Sequence, residues 1–285
     1  MQRPGTPPYG HAGHAAGGVE RPERKARMTL PADLAPLLRP LEDLARRAGA
    51  VVMEVYNSDF AVRDKTDSSP VTEADERAEA IILPGLAALT PGVPVVAEES
   101  VAAGTIPAIG SGPFWLVDPV DGTKEFIKRN GEFTVNIGLI RDGVPVLGVV
   151  LAPARGELWS GTGATAFKED ANGRRPIACR PLPASGAVIM TSRSHREPES
   201  LDKWMAQFPG ATLGFAGSSL KFCLVAEGAA DLYPRFGPTS EWDIAAASAV
   251  LMAAGGSVTT FDGLPMAYGK TPKFLNPDFI ARGRG

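Results

Sequence analysis

Asp118-Pro119-Val120-Asp121-Gly122-Thr123 is the segment of this chain best equipped for chemistry. It ends an apolar run, Trp115-Leu116-Val117, with two carboxylates. In a regular strand Asp118 and Asp121 point to opposite faces, because side chains alternate with period two. Pro119 interrupts regular pairing and Gly122 admits an unusual turn, so the two acids are expected to be brought together here. Carboxylates held side by side repel unless a proton or a cation lies between them, and a hard ion such as Mg2+ prefers oxygen ligands of this kind. Alone the pattern is weak, since Asp-Gly is an ordinary turn dipeptide. Its weight depends on companions. Glu98-Glu99 directly follows a second apolar run, Val93 to Ala97, and Asp243 stands at the start of an alanine-rich segment, where a carboxylate also complements a helix dipole.

The elements that must position these acids are legible in outline. Apolar residues recur at helical spacing from Leu41 to Val55, predicting a helix over 33–57. Pro70 to Asp75 reads as a helix start with Thr72 as N-cap and Asp75 in the first turn. Val93 to Ala97 and Phe114 to Val117 suit buried strands. Thr134 to Ile140 and Val144 to Leu151 form a hairpin around Arg141-Asp142-Gly143, and Asn172-Gly173 marks another hairpin turn. Further on come a strand near 187–190, helices near 198–207 and 218–227, a strand near 231–235, and a helix from about Trp242 to Ala254 that Gly255-Gly256 stops. This mixture predicts a layered mixed α and β fold rather than a purely parallel sheet. Gly161 to Ala166 fits a loose dinucleotide fingerprint, but a hairpin follows where that motif needs a helix. Ser218-x-x-Lys221 fits an acyl-enzyme pattern that lacks its companion motifs.

Composition narrows the function classes. The chain has 285 residues, 44% hydrophobic and 21% charged, with a formal net charge of -3. That balance suits a globular protein and argues against a nucleic-acid partner. No apolar stretch approaches the roughly 20 residues of a transmembrane segment. Cys179 and Cys223 make neither a thiol metal cluster nor a disulfide framework, which fits a cytoplasmic location, with peripheral association at the inner membrane left open. Residues 1–28 carry two of the three histidines and no apolar periodicity; they are expected to be a disordered extension, and Met28 is a candidate start. His195 is then the one histidine of the folded body, which disfavours a multi-histidine zinc site.

Glu98-Glu99, Asp118 to Thr123 and Trp242-Asp243, in this order, resemble the lithium-sensitive, magnesium-dependent phosphatase superfamily that includes inositol monophosphatases and bisphosphate nucleotidases. The longer runs Asp121 to Ile137 and Gly217 to Gly228, continuing from Leu232 to Pro238, are similar to the CysQ-type 3′(2′),5′-bisphosphate nucleotidases within it. The likeness spans about residues 34–279. It implies a layered α/β/α/β/α sandwich of the inositol monophosphatase and fructose-1,6-bisphosphatase type. It also implies an α+β part over 29–156 with most metal ligands, and an α/β part over 157–285 that completes the metal and nucleotide site.

The resemblance further implies that Glu98, Asp118 and the Val120 carbonyl hold one Mg2+, that Asp118, Asp121 and Asp243 hold a second, and that Glu98 helps a looser third through water. Asp75 would accept a hydrogen bond from Thr123 and with it activate the attacking water. Gly122 and Thr123 would open a short helix whose amides bind phosphate oxygens. Glu98, Val120, Asp121 and Asp243 would thus also line the substrate site, with His195, Ser218, Lys221 and Arg235 contacting the nucleotide; Arg235 is suited to fork onto phosphate. The implied activity is hydrolysis of 3′-phosphoadenosine 5′-phosphate, a by-product of sulfate assimilation, to AMP, with inhibition by Li+. The implied partner is a small-molecule nucleotide; monomer and homodimer both remain open. An inositol 1-phosphate phosphatase with the same metal machinery is the nearest alternative, and a catalytically silent metal-nucleotide sensor a more distant one.

Overall fold

A computed structural model describes Met1 and residues 30–58, 62–64, 70–193 and 198–285, with the backbone alone for 62–64, 70–72 and 198. Residues 2–28 of the expected extension, Met28 among them, and His195 lie outside the described residues. The chain begins with α1 (Ala35–Tyr56), the short strands β1 (Val62–Asp64) and β2 (Pro70–Thr72), and α2 (Glu73–Leu89). Next come β3 (Val95–Ala97), α3 (Glu98–Ala102), β4 (Phe114–Asp121) and α4 (Thr123–Ile127). An antiparallel run follows: β5 (Thr134–Arg141), β6 (Val144–Ala152), β7 (Glu157–Thr162), β8 (Thr165–Asp170) and β9 (Gly173–Ile177). The remainder is β10 (Val188–Thr191), α5 (Pro198–Met205), β11 (Thr212–Phe215), α6 (Leu220–Ala226), β12 (Leu232–Arg235), α7 (Glu241–Ala253), β13 (Ser257–Thr260) and β14 (Phe279–Arg282).

These strands form a seven-stranded sheet in sequential order from β3 to β9 and a five-stranded sheet ordered β11-β10-β12-β14-β13. The first sheet is antiparallel except for β3 beside β4. It runs across residue 156, so the two expected halves share it. Period-two alternation in β4 buries both faces. Trp115 and Val117 pack with Leu41, Leu44, Ile82 and Leu86 of α1 and α2. Phe114 and Leu116 face the other way, into a core with α6, α7 and the second sheet. In β14, Phe279 and Ala281 join that same core, whereas Ile280 turns outward to Trp204, Met205 and Phe208. The layers are therefore α1 and α2, the large sheet, α6 and α7, the small sheet, and α5: a five-layer α/β/α/β/α sandwich, as expected.

A row of glycines seats the middle layer. Gly138, Gly148 and Gly161 are direct cross-strand partners on β5, β6 and β7. A Cβ at Gly148 would lie 2.1 Å from the Ala246 carbonyl oxygen, one at Gly138 would lie 2.7 Å from the Ala246 nitrogen, and one at Gly161 would lie 2.9 Å from the Ala253 Cβ. The alanine-rich α7 thus rests backbone-close on the sheet, and its first turn, with Asp243, is fixed over β4 and β5. Gly161 to Ala166 forms the β7–β8 hairpin, which disposes of the dinucleotide fingerprint.

Candidate active site

The acid pair is made by a bulge rather than by a break. β4 continues past Val117 to Asp121, further than the sequence suggested. Asp118 pairs with Asn136 and Asp121 with Thr134, so three steps on β4 oppose two on β5, with a register shift between. The extra residue cancels the odd spacing and gives both aspartates same-face partners. Gly122 then turns at φ 93, and Thr123 opens α4 as expected. A Cβ at Gly122 would also lie 3.2 Å from the Glu132 carbonyl oxygen. Val120 is buried in the same strand.

Asp121 rests in a polar cradle. The Ser218 hydroxyl and the Ser219 amide both donate to its Oδ2 at 2.6 Å. Ser218 has φ 51 and precedes α6, so its hydroxyl serves Asp121 rather than capping the helix. Lys221 is buried, not an exposed lysine: its ammonium donates to the Ser218 carbonyl at 2.5 Å and lies 5.1 Å from the Tyr233 ring centroid. Burial pushes its pKa down to about 8, while the Asp121 charge pulls the other way. Burial likewise raises Asp121, and the Ser218 hydrogen bond and the Lys221 charge oppose the rise.

Asp118 occupies the centre of a carboxylate cluster. It is 2% exposed, and among the described residues its buried Oδ1 has no hydrogen-bond partner. Burial first, then the charges of Glu98, Asp121, Asp243 and Asp75, hold its pKa well above the usual carboxylate range. Asp243 is raised in the same way by burial, Asp121 and Glu98, although its Oδ2 accepts the Ser240 amide at 2.9 Å in a capping box. Among the described residues no three acidic, histidine or cysteine side chains already close around one ion-sized point. Mutually repelling carboxylates splay unless a cation draws them in. A hard divalent cation suits this set: the donors are oxygens, the charge is concentrated, and the orphaned Asp118 Oδ1 needs a partner.

Residues 33–279 match the model of the inositol monophosphatase family. The chain belongs to the inositol monophosphatase family. The enzymes of this family are metal-dependent phosphatases, generally using Mg2+. A 3′(2′),5′-bisphosphate nucleotidase CysQ of Escherichia coli (strain K12) is 48% identical over 238 residues, covering 83% of this chain and 95% of that protein. The crystal structure of CysQ from Bacteroides thetaiotaomicron superposes with a TM-score of 0.73 at 35% identity, covering 87% of this chain and 97% of that one. An inositol monophosphatase structure from Anabaena gives 0.69 at 27% identity, covering 88% and 92%.

Within this family frame, Glu98 heads α3 and Asp75 lies buried in the first turn of α2. The position of Glu98 depends on a residue that sequence reasoning missed. Glu79 is 6% exposed and accepts the Glu99 and Ser100 amides, both at 3.0 Å, and the Ser100 hydroxyl at 2.5 Å. It ties α3 to α2 one turn beyond Asp75, on the same helix face. That i, i+4 pairing of acids was the available signal. Arg235 reaches the cluster from β12: its charge counters the rise of Asp243, and its buried Nε makes no hydrogen bond among the described residues. His195 lies outside the described residues.

Proposed function

We propose that this chain is a Mg2+-dependent 3′(2′),5′-bisphosphate nucleotidase that hydrolyses the 3′-phosphate of 3′-phosphoadenosine 5′-phosphate to AMP and phosphate. The observation that carries the reading is the carboxylate cluster around Asp118, whose Oδ1 has no hydrogen-bond partner among the described residues, in a chain 48% identical to a CysQ nucleotidase. Glu98, Asp118 and the Val120 carbonyl are the ligand set for one ion; Asp118, Asp121 and Asp243 are the set for a second. When bound, Mg2+ supplies positive charge to the phosphoryl and leaving oxygens and lowers the pKa of water.

The chain's own residues do the rest. Asp75, for which the Thr123 hydroxyl is the assigned donor, accepts the proton of the attacking water. The backbone of Gly122 and Thr123 faces the transferred phosphate oxygens. Ser218 and the Ser219 amide keep Asp121 Oδ2 occupied, which leaves Oδ1 for ligation. Lys221 holds the Ser218 turn from beneath. Arg235, whose buried Nε has no acceptor among the described residues, takes an oxygen of the second phosphate, and His195 is a further candidate nucleotide contact.

Phosphate release from the nucleotide is expected with Mg2+, to vanish in a chelator, to return when Mg2+ is restored, and to fall when Li+ is added. Undiminished release in the chelator would exclude the metal-dependent reading.

A further inference from the structure

Glu132, Thr134 and Asn136 lie at alternate positions where the chain enters β5, so they share one face of the extended backbone. All three grip one turn. Glu132 Oε2 accepts the Gly217 amide at 2.9 Å, Thr134 Oγ1 lies 2.5 Å from the Ser218 hydroxyl and 2.8 Å from that of Ser219, and Asn136 Oδ1 accepts the Ser219 hydroxyl at 2.8 Å. This turn carries the two hydrogen bonds to Asp121 Oδ2.

Glu132 is itself held from outside. Arg193 donates through Nε to Oε2 at 3.0 Å and through Nη2 to Oε1 at 3.1 Å, and the same Nη2 donates to the Phe215 carbonyl at 3.1 Å. One guanidinium therefore fixes residue 215 directly and residue 217 through Glu132. Gly217 has no slack, because a Cβ there would lie 2.7 Å from both Glu125 Cγ and the Glu132 carbonyl oxygen. The Arg193 side chain is 51% exposed, and an isolated surface ion pair contributes little to stability. A two-pronged fork with a third bond to a backbone carbonyl offers geometric definition instead.

We propose that Arg193 and Glu132 form a positioning clamp for Asp121: they set the Gly217-Ser218-Ser219 turn, which presents two donors to Oδ2 and orients Oδ1 toward the ion. The proposal rests on the assignment of Asp121 as a Mg2+ ligand. A purely structural ion pair would make the same contacts and leave ion affinity unchanged.

The test is Mg2+ binding by calorimetry on the full chain without substrate, with melting temperature recorded in chelator. Arg193→Ala and Glu132→Gln are each expected to weaken Mg2+ binding roughly tenfold, the low end for a partner that orients a metal ligand. The double variant should be no worse than either single, because both break one chain of contacts. Arg193→Lys, which keeps the charge and loses the fork, should fall between. Melting in chelator should barely move. Folded variants with wild-type Mg2+ affinity sink the clamp alone; a wild-type chain that binds no Mg2+ sinks the metal assignment with it.

Discussion

Asp118→Asn is expected to lower kcat/KM for release of the 3′-phosphate by about a thousandfold or more, equivalent to about 4 kcal/mol of transition-state stabilisation. Asp118 is the one carboxylate common to both proposed ligand sets, and Asn keeps its volume while removing the charge. The same substitution should raise the melting temperature in chelator. Asp118 is 2% exposed and faces the charges of Glu98, Asp121, Asp243 and Asp75, so the metal-free fold bears a buried, repelled carboxylate that Asn relieves. Loss of activity with gain of metal-free stability is the signature of a residue retained for ion binding. A variant that keeps a tenth of the activity, or melts lower in chelator, contradicts this account.

Gly148→Ala is expected to destabilise the protein by about 3 kcal/mol and to lower the melting temperature by about 6–12 °C. The new Cβ would lie 2.1 Å from the Ala246 carbonyl oxygen and 2.8 Å from its carbon. These are backbone atoms, so no rotamer change relieves the overlap, and α7 must lift from the sheet. Because α7 begins one residue after Ser240, whose amide binds Asp243, activity should fall as well in the folded fraction. Gly112→Ala is the control: nothing lies within 4 Å of its Cβ, and a shift within about 0.5 kcal/mol is expected. Thermal denaturation of the two variants side by side checks the prediction. Equal melting temperatures would mean that α7 is not seated on the glycine row.

The acids of the proposed ligand sets stand out in the sequence, two of them with a proline, a glycine and a threonine at a strand end and more at Glu98 and Asp243, but their grouping came from the family resemblance. The way Asp118 and Asp121 come together was not legible. The sequence suggested a broken strand, whereas the bulge depends on how β4 pairs with Asn136 and Thr134, a contact only the folded sheet defines. Lys221 shows the same limit. Its type suggested a cation for the nucleotide, but its burial beside Tyr233 and its hydrogen bond to the Ser218 carbonyl were not readable from the sequence. Glu79 was missed because a carboxylate on a helix reads as solvent-facing until α3 docks onto it. The strands β11, β13 and β14, each four residues long, were not read from the sequence. The glycine row is written in the chain as three separate glycines, and only cross-strand register aligns them beneath α7.

The most direct test of the proposed function is the ratio of kcat/KM for 3′-phosphoadenosine 5′-phosphate to that for inositol 1-phosphate, measured with the same enzyme in saturating Mg2+. Both substrates draw on the same carboxylate cluster, so the ratio isolates what Arg235 and the nucleotide side of the site add. A preference for the nucleotide of at least about a hundredfold is predicted, the scale that a lost set of buried polar contacts brings. Equal or better turnover of inositol 1-phosphate would contradict the nucleotidase assignment while leaving the metal cluster intact.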